Sequence, residues 1–375
     1  MKGLISLLAL FAGCDQVWGL ERGATKDANE CFGRSSGKGL LTLCTDKILE
    51  DEYILPQDVD TDDEPAPPCT EILTQGDTDH TEVCVIAADR IRVQGAPSLH
   101  GGRPVVLVAR HTLIIEPGTA VDVATHRGAG NREGAGAPRA ACMVSNGGNG
   151  AGGGGGGAGG GFHGPSARGA NATNGGGNGG DPVGAIALGG VRAGCAGGKG
   201  GTGSSSGGAG GGGGGALYLI AGDRIEVSGT INASGAGGAG GTKPTTSGGG
   251  GGGGGGSGGL IGFDAPLVNI AVGTVLVANG GGAGGGGGAA GGLGGIDGKD
   301  PVVFGGTFPF GAGGGNGGAP MGGTGGPGAA DDNPPGIGQD SNAGAGGGGG
   351  AAGYIVVFGD TIDDTNAVYS PPRGP

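Results

Sequence analysis

Large side chains are scarce in this chain of 375 residues: aromatics make up 3% of it, with a single tryptophan. A conventional globular core of that size cannot be built without them. Long apolar runs are missing too, and no stretch approaches the ~18 residues of a membrane-spanning helix. Clusters of Lys and Arg are absent and the formal net charge is −13, which argues against nucleic acid as a partner, because phosphates demand cations. Zinc chemistry lacks its ligands. No C-x₂-C pair occurs, and His80, His100, His111, His126 and His163 show neither H-x₃-H nor H-E-x₂-H spacing. A phosphate loop is ruled out, since Lys199 is followed by Gly200 rather than Ser or Thr. The chemistry-bearing spacings therefore nominate no catalytic residue, no metal and no cofactor.

What the chain has is glycine, 109 residues of it, together with 21 prolines. Such a composition without a period usually signals disorder or low complexity. Collagen is excluded because runs such as 152–157 and 248–256 break any Gly-X-Y register.

The first residues read as an export signal. Lys2 precedes a short apolar run over 4–11, too short to span a bilayer. It ends in Phe11-Ala12-Gly13-Cys14, which resembles the bacterial lipobox, although that pattern prefers Leu where Phe11 stands. The resemblance implies cleavage after residue 13, lipidation of Cys14 and a membrane partner held through the lipid. An ordinary signal peptide would leave Cys14 a plain thiol. Asp15, next in the chain, resembles an inner-membrane retention signal, which leaves the choice of membrane open.

Seven cysteines are an odd number for an exported protein. Setting Cys14 aside leaves Cys31, Cys44, Cys69, Cys84, Cys142 and Cys195, an even set suited to disulfides in an oxidising compartment. Six cysteines allow 15 pairings. Proximity in sequence favours Cys31–Cys44, Cys69–Cys84 and Cys142–Cys195.

Residues 46–82 carry thirteen acids against one lysine, Lys47, along with Pro56, Pro65, Pro67 and Pro68. Such a segment repels itself and buries little apolar surface, so it reads as a weakly ordered stalk. Within it, Asp58, Asp60 and Asp62 occupy the first, third and fifth positions of a calcium loop, but Asp63 stands where the loop needs glycine.

Beyond the stalk, short aliphatic strands recur. The stretch from Val85 to Gly95 matches that from Leu219 to Gly229, with looser copies beginning at Leu107, Phe263 and Val356. Each copy gives an apolar strand, a turn, an alternating strand and a Gly-containing corner leading to a third strand, and the period of two argues strand rather than helix. Repeated strand units suggest a solenoid. The pattern resembles the right-handed parallel β-helix of the pectin-lyase type, which implies an all-β fold with a narrow aliphatic core. Glycine tracts over 128–162, 174–215, 234–259, 279–298 and 305–350 separate the units. They have two readings: flexible loops, or polyglycine II strands bundled side by side, since chains without Cβ atoms can approach closely.

Other patterns carry less. Gly-x-Ser-x-Gly at 33–37 and 203–207 lacks the strand and helix of a hydrolase elbow. Residues 176–184 match a single calcium-binding nonapeptide, which needs tandem copies to work. The recurrent pairs Asp89/Arg90 and Asp223/Arg224 could stack into the charged face that polysaccharide lyases on β-helices use, or could be solvated corners. Phe304, Phe308 and Phe310 form the aromatic cluster of the chain, a candidate sugar platform or a plug for one end of the solenoid.

The chain thus divides into a signal peptide (1–13), an acidic cysteine-bearing stalk (14–82) and a glycine-rich β-helical body (83–375). As a whole it resembles bacterial glycine-rich, PGRS-like surface lipoproteins. That resemblance implies an envelope location and a non-enzymatic structural or adhesive role, with envelope polysaccharide as a further candidate partner. A carbohydrate-binding or carbohydrate-active protein is the alternative.

Overall fold

The computed structural model describes residues 30–33, 39–62, 69–76, 81–128, 132–244, 246–303 and 311–374. Among them the fold is all-β, with one 3-10 turn at Ala137–Arg139. The strands are β1 (Glu30–Phe32), β2 (Leu43–Thr45), β3 (Leu49–Ile54), β4 (Asp58–Asp60), β5 (Glu71–Thr74), β6 (Glu82–Val93), β7 (Ser98–His100), β8 (Val105–Ile115) and β9 (Ala120–Asp122). After a long interval come β10 (Ala216–Ala221), β11 (Arg224–Val227), β12 (Thr230–Asn232), β13 (Leu260–Asp264), β14 (Leu267–Ile270), β15 (Val275–Val277), β16 (Tyr354–Phe358), β17 (Thr361–Asp363) and β18 (Val368–Ser370).

These strands stack in parallel rows. One row runs β6, β8, β10, β13, β16; a second runs β3, β6, β8, β11, β14, β17; a third runs β4, β7, β9, β12, β15, β18. The long strands β6 and β8 serve two rows. Register is held by aliphatic columns such as Ile91, Leu113, Ile225, Val268 and Ile362, where β-branched and branched side chains pack on the pleat. Strand β10 is buried at every position. Leu217 and Leu219 face the interior enclosed by the rows, whereas Tyr218 and Ile220 face a second cluster with Phe162, Val191, Phe32 and Leu43. Burial on both faces is why this strand reads as a continuous apolar run rather than an alternating one.

The acidic segment is not a stalk. Its described residues include β3, β4 and β5, which pair with β6 and β7, and Leu55 and Val59 are buried in the common interior. The sheets therefore begin well before residue 83. Repulsion is relieved by cations supplied from later in the chain: Arg132 reaches Asp58, Arg139 reaches Asp62, and Arg92 reaches Glu52. The disulfide Cys69–Cys84 ties the same segment to β6; Cys31–Cys44 joins β1 to β2, and Cys142–Cys195 joins two glycine tracts.

The sequence match of Val85 with Leu219 is also off by one in its first strand. Ile86, not Val85, stacks through Leu107 onto Leu219. A register shift between Ala88 and Arg90 absorbs the extra residue, after which Ile91 and Ile225 do share a column. A slip of one residue exchanges the two faces of a strand, so Val85 belongs to the outer cluster and Ile86 to the inner one.

The glycine tracts all leave from the end of a third-row strand and return at a first-row strand, over 123–215, 233–259 and 278–353. Their described residues are hydrogen-bonded to one another along most of their length. Segment 248–259 illustrates the order. Gly251, Gly254 and Ser257 donate to the carbonyls of Gly201, Gly198 and Cys195; Gly252, Gly255 and Gly258 donate to Ala345, Gly348 and Ala351; Gly253, Gly256 and Gly259 donate to Ala239, Ala236 and Ala233. The carbonyls of the same segment accept from Gly154, Gly157 and Gly160, from Gly208, Gly211 and Gly214, and from Gly281, Gly284 and Gly287. All these bonds measure 2.7–3.0 Å. Each neighbouring segment is met every third residue, the repeat of an extended threefold chain. Segments 154–160, 281–287 and 345–351 are enclosed in the same way, and the other extended segments form a layer around these four. Glycine is required here by proximity: a Cβ on Gly251 would lie 1.9 Å from the carbonyl oxygen of Gly155, and one on Gly256 at 1.9 Å from that of Gly212. The described segments of the tracts are packed structure, not loops.

Candidate interaction surface

The outside of the strand rows carries the charges singled out in the sequence, but in unexpected pairs. Asp89 pairs with Arg110 of the next strand at 2.8 Å, and Arg110 also holds Glu30 at 2.7 Å. These carboxylates, Glu30 foremost, keep the Arg110 guanidinium protonated more firmly than usual. Asp223 lies 2.9 Å from the His111 ring Nδ1, and Arg224 pairs within its own strand with Glu226 at 2.8 Å. Arg92 bridges Glu52 at 2.9 Å and Glu116 at 2.6 Å. These are partly exposed ion pairs, most between successive turns of chain and one within a strand, a class of contact that contributes little stability. Asp51, Glu52, Asp89, Arg90 and Arg92 border an open depression of about 590 Å³ on this face.

The acids resembling a calcium loop are instead paired. His100 lies 2.9 Å from Asp58 and 3.8 Å from Asp60, while Asp62 accepts from Arg139 and from the Gly102 amide, both at 2.7 Å. Among the described residues no group of three His, Cys, Asp or Glu has the geometry to hold a metal. Gly177 and Gly180, within the calcium nonapeptide pattern, donate to Gly153 and Gly156 as bundle contacts. Ser204 and Ser205 cap the ends of neighbouring segments through the carbonyls of Gly248 and Thr242. The lipobox with Cys14, His80, most of the 33–37 motif and Phe304, Phe308 and Phe310 lie outside the described residues. His163 packs its ring on Tyr354 with centroids 4.5 Å apart.

Sequence reading missed a set of side chains that finish the bundle. At its surface a segment has no further neighbour to take its amides. Asn146 and Asn149 accept from the amides of Lys199 and Thr202, at 2.8 and 2.7 Å. Asp297 and Asp300 do the same for Gly240 and Gly237, at 2.8 and 2.7 Å. Short side-chain acceptors thus replace the absent strand. Their signal was present: Asn or Asp repeated at a spacing of three inside a glycine tract, in Asn146-Gly-Gly-Asn149 and Asp297-Gly-Lys-Asp300.

Asp300 also fastens the bundle to the strand rows. Its second oxygen accepts from the Arg127 amide at 2.8 Å and lies 3.9 Å from His126, which in turn contacts Asp122 of β9 at 2.7 Å. Hydrogen bonding to Asp122 raises the His126 pKa above its ordinary value, with burial opposing and both carboxylates assisting. A raised folded-state pKa adds stability that is fully present below the ordinary histidine range and lost as pH rises through the folded value. His126→Gln should therefore lower the melting temperature more at pH 5 than at pH 8, by thermal unfolding at both; an equal loss at the two would remove the charge from this contact.

Compared with family models, characterised proteins and solved structures, the chain matches none. No helix of the described residues is long and apolar enough to cross a membrane.

Proposed function

We propose that this protein is an exported, lipid-anchored element of a bacterial cell envelope, acting as a non-enzymatic structural or adhesive body. In this reading the parallel rows are coils of a right-handed β-helix, and the glycine segments are a polyglycine II bundle grown from one corner of it. The observation that carries it is the bundle: a body held by backbone hydrogen bonds presents an ordered surface built to resist deformation. Three disulfides suit an oxidising compartment outside the cytoplasm. With those six cysteines paired, the one left over in the sequence is Cys14, at the lipobox-like site. Two or more acyl chains hold a protein stably at a membrane where one does not.

Cell fractionation tests the anchor. The wild-type chain should sediment with membranes and, denatured without reductant, show no titratable thiol; Cys14→Ser should move it to the soluble fraction with unchanged thermal stability. A membrane-bound Cys14→Ser variant, or one free thiol in the wild type, would refute the lipoprotein reading.

A second reading, a carbohydrate-binding or carbohydrate-active protein, draws on the depression bordered by Asp51, Glu52 and Asp89, three acids on one face. Against it, Glu52 and Asp89 are already neutralised by Arg92 and Arg110. Selective capture of one sugar class on a glycan array would decide for this alternative.

A further inference from the structure

Six Asn-Gly pairs lie in the glycine tracts: Asn146-Gly147, Asn149-Gly150, Asn174-Gly175, Asn178-Gly179, Asn279-Gly280 and Asn316-Gly317. The pair is chemically special because a glycine amide, unshielded by a side chain, can reach the preceding carboxamide. That amide nitrogen must first lose its proton, which a hydrogen bond to a fixed acceptor resists, as it resists hydrogen exchange.

Five of the six glycine amides are engaged. Gly147 donates to Lys199 at 2.9 Å, Gly150 to Thr202 at 3.0 Å, Gly175 to Thr173 at 3.0 Å and Gly280 to Ala329 at 3.0 Å, all to carbonyls. Gly179 donates to the side chain of Asn171 at 2.8 Å. Gly317 differs. It sits on an outer segment whose inward amides, Gly315 and Gly318, donate to Ala283 and Gly286, while its own amide meets no acceptor among the described residues. Asn316 beside it is exposed, and among the described residues its side chain makes no hydrogen bond.

We propose that Asn316-Gly317 is a self-modification site at which the folded protein converts Asn316 to aspartate and isoaspartate. The Gly317 nitrogen, deprotonated by solvent base, attacks Cγ of Asn316. The new N–Cγ bond closes a succinimide ring and the carboxamide nitrogen leaves as ammonia. Water then opens the ring at either carbonyl, with no change of oxidation state. Opening at one side gives aspartate; opening at the other carries the main chain through Cγ and lengthens it by one carbon.

The lengthened form matters in this bundle. Gly315 and Gly318 reach Ala283 and Gly286 because they are one threefold repeat apart, both at 2.8 Å. An added backbone atom between them cannot preserve both bonds. Modification would place a carboxylate on the outer face and detach one edge of that segment, an irreversible mark of the protein's age.

The test uses the six pairs as mutual controls. Full-length folded protein is incubated at mildly alkaline pH, and peptide mapping by mass spectrometry measures acid and isoaspartate at each pair; a parallel sample is kept unfolded in guanidinium. Conversion at Asn316 is expected to exceed that at each of the other five by about tenfold or more in the folded sample, with the six converging when unfolded. Equal rates in the folded protein would overturn the proposal. So would faster conversion at Asn174, which lies in a turn and would assign the rate to local chain freedom rather than to an unengaged amide.

Discussion

Gly254→Ala is expected to destabilise the folded chain by roughly 3 kcal/mol or more, the upper end of what overpacking costs. The added methyl would lie 1.8 Å from the carbonyl oxygen of Ala158, a backbone atom that cannot rotate away. Gly254 also donates to Gly198 at 2.8 Å and accepts from Gly211 at 2.9 Å, so shifting the segment to relieve the clash stretches bonds on several sides. Gly189→Ala is the control. Nothing lies within 4 Å of a Cβ at that position, and the change should fall within about 0.5 kcal/mol of wild type. Denaturant unfolding compares the two. If they unfold alike, the close approach of segments in the bundle is wrong; if Gly254→Ala fails to fold while Gly189→Ala folds, the expectation stands in its strongest form.

The second large effect lies in the strand rows. Ile225 is fully buried, between Leu113 and Val268 in its column. Ile225→Asp places a carboxylate there with no cation in the column, at a cost of roughly 4 kcal/mol or more. Its neighbour Glu226 points outward and pairs with Arg224, so Glu226→Lys should cost about 1 kcal/mol or less. Similar losses from the two would invert the assignment of inner and outer faces.

The strand rows were legible because their physics is local. Aliphatic alternation around a repeated corner marks β11, β14 and β17 directly, and the three disulfides join cysteines that are also neighbours in sequence. The slip between Val85 and Ile86 was not legible, since a bulge leaves the composition of a strand unchanged. The acidic segment was misread for a different reason. The cations that neutralise it, Arg132 for Asp58 and Arg139 for Asp62, stand more than 70 residues further along the chain. Local charge counts cannot anticipate them. The bundle was legible only as one of two readings, because a glycine with six segments around it and a glycine in a loop look alike in sequence. The difference shows at the rim, where Asn146, Asn149, Asp297 and Asp300 keep the period of three.

A protein interior is usually a reservoir of apolar surface, and its exposure on unfolding raises the heat capacity. Here much of the interior is peptide. Exposing polar surface lowers heat capacity, by about 0.26 cal/mol/K per Å² against a rise of about 0.45 for apolar surface. Melting the bundle around segment 248–259 therefore carries a smaller heat-capacity change per residue than melting the aliphatic rows beneath it. Its stability curve is correspondingly flat, so the bundle loses little of its hold on cooling, when the hydrophobic contribution of the rows weakens.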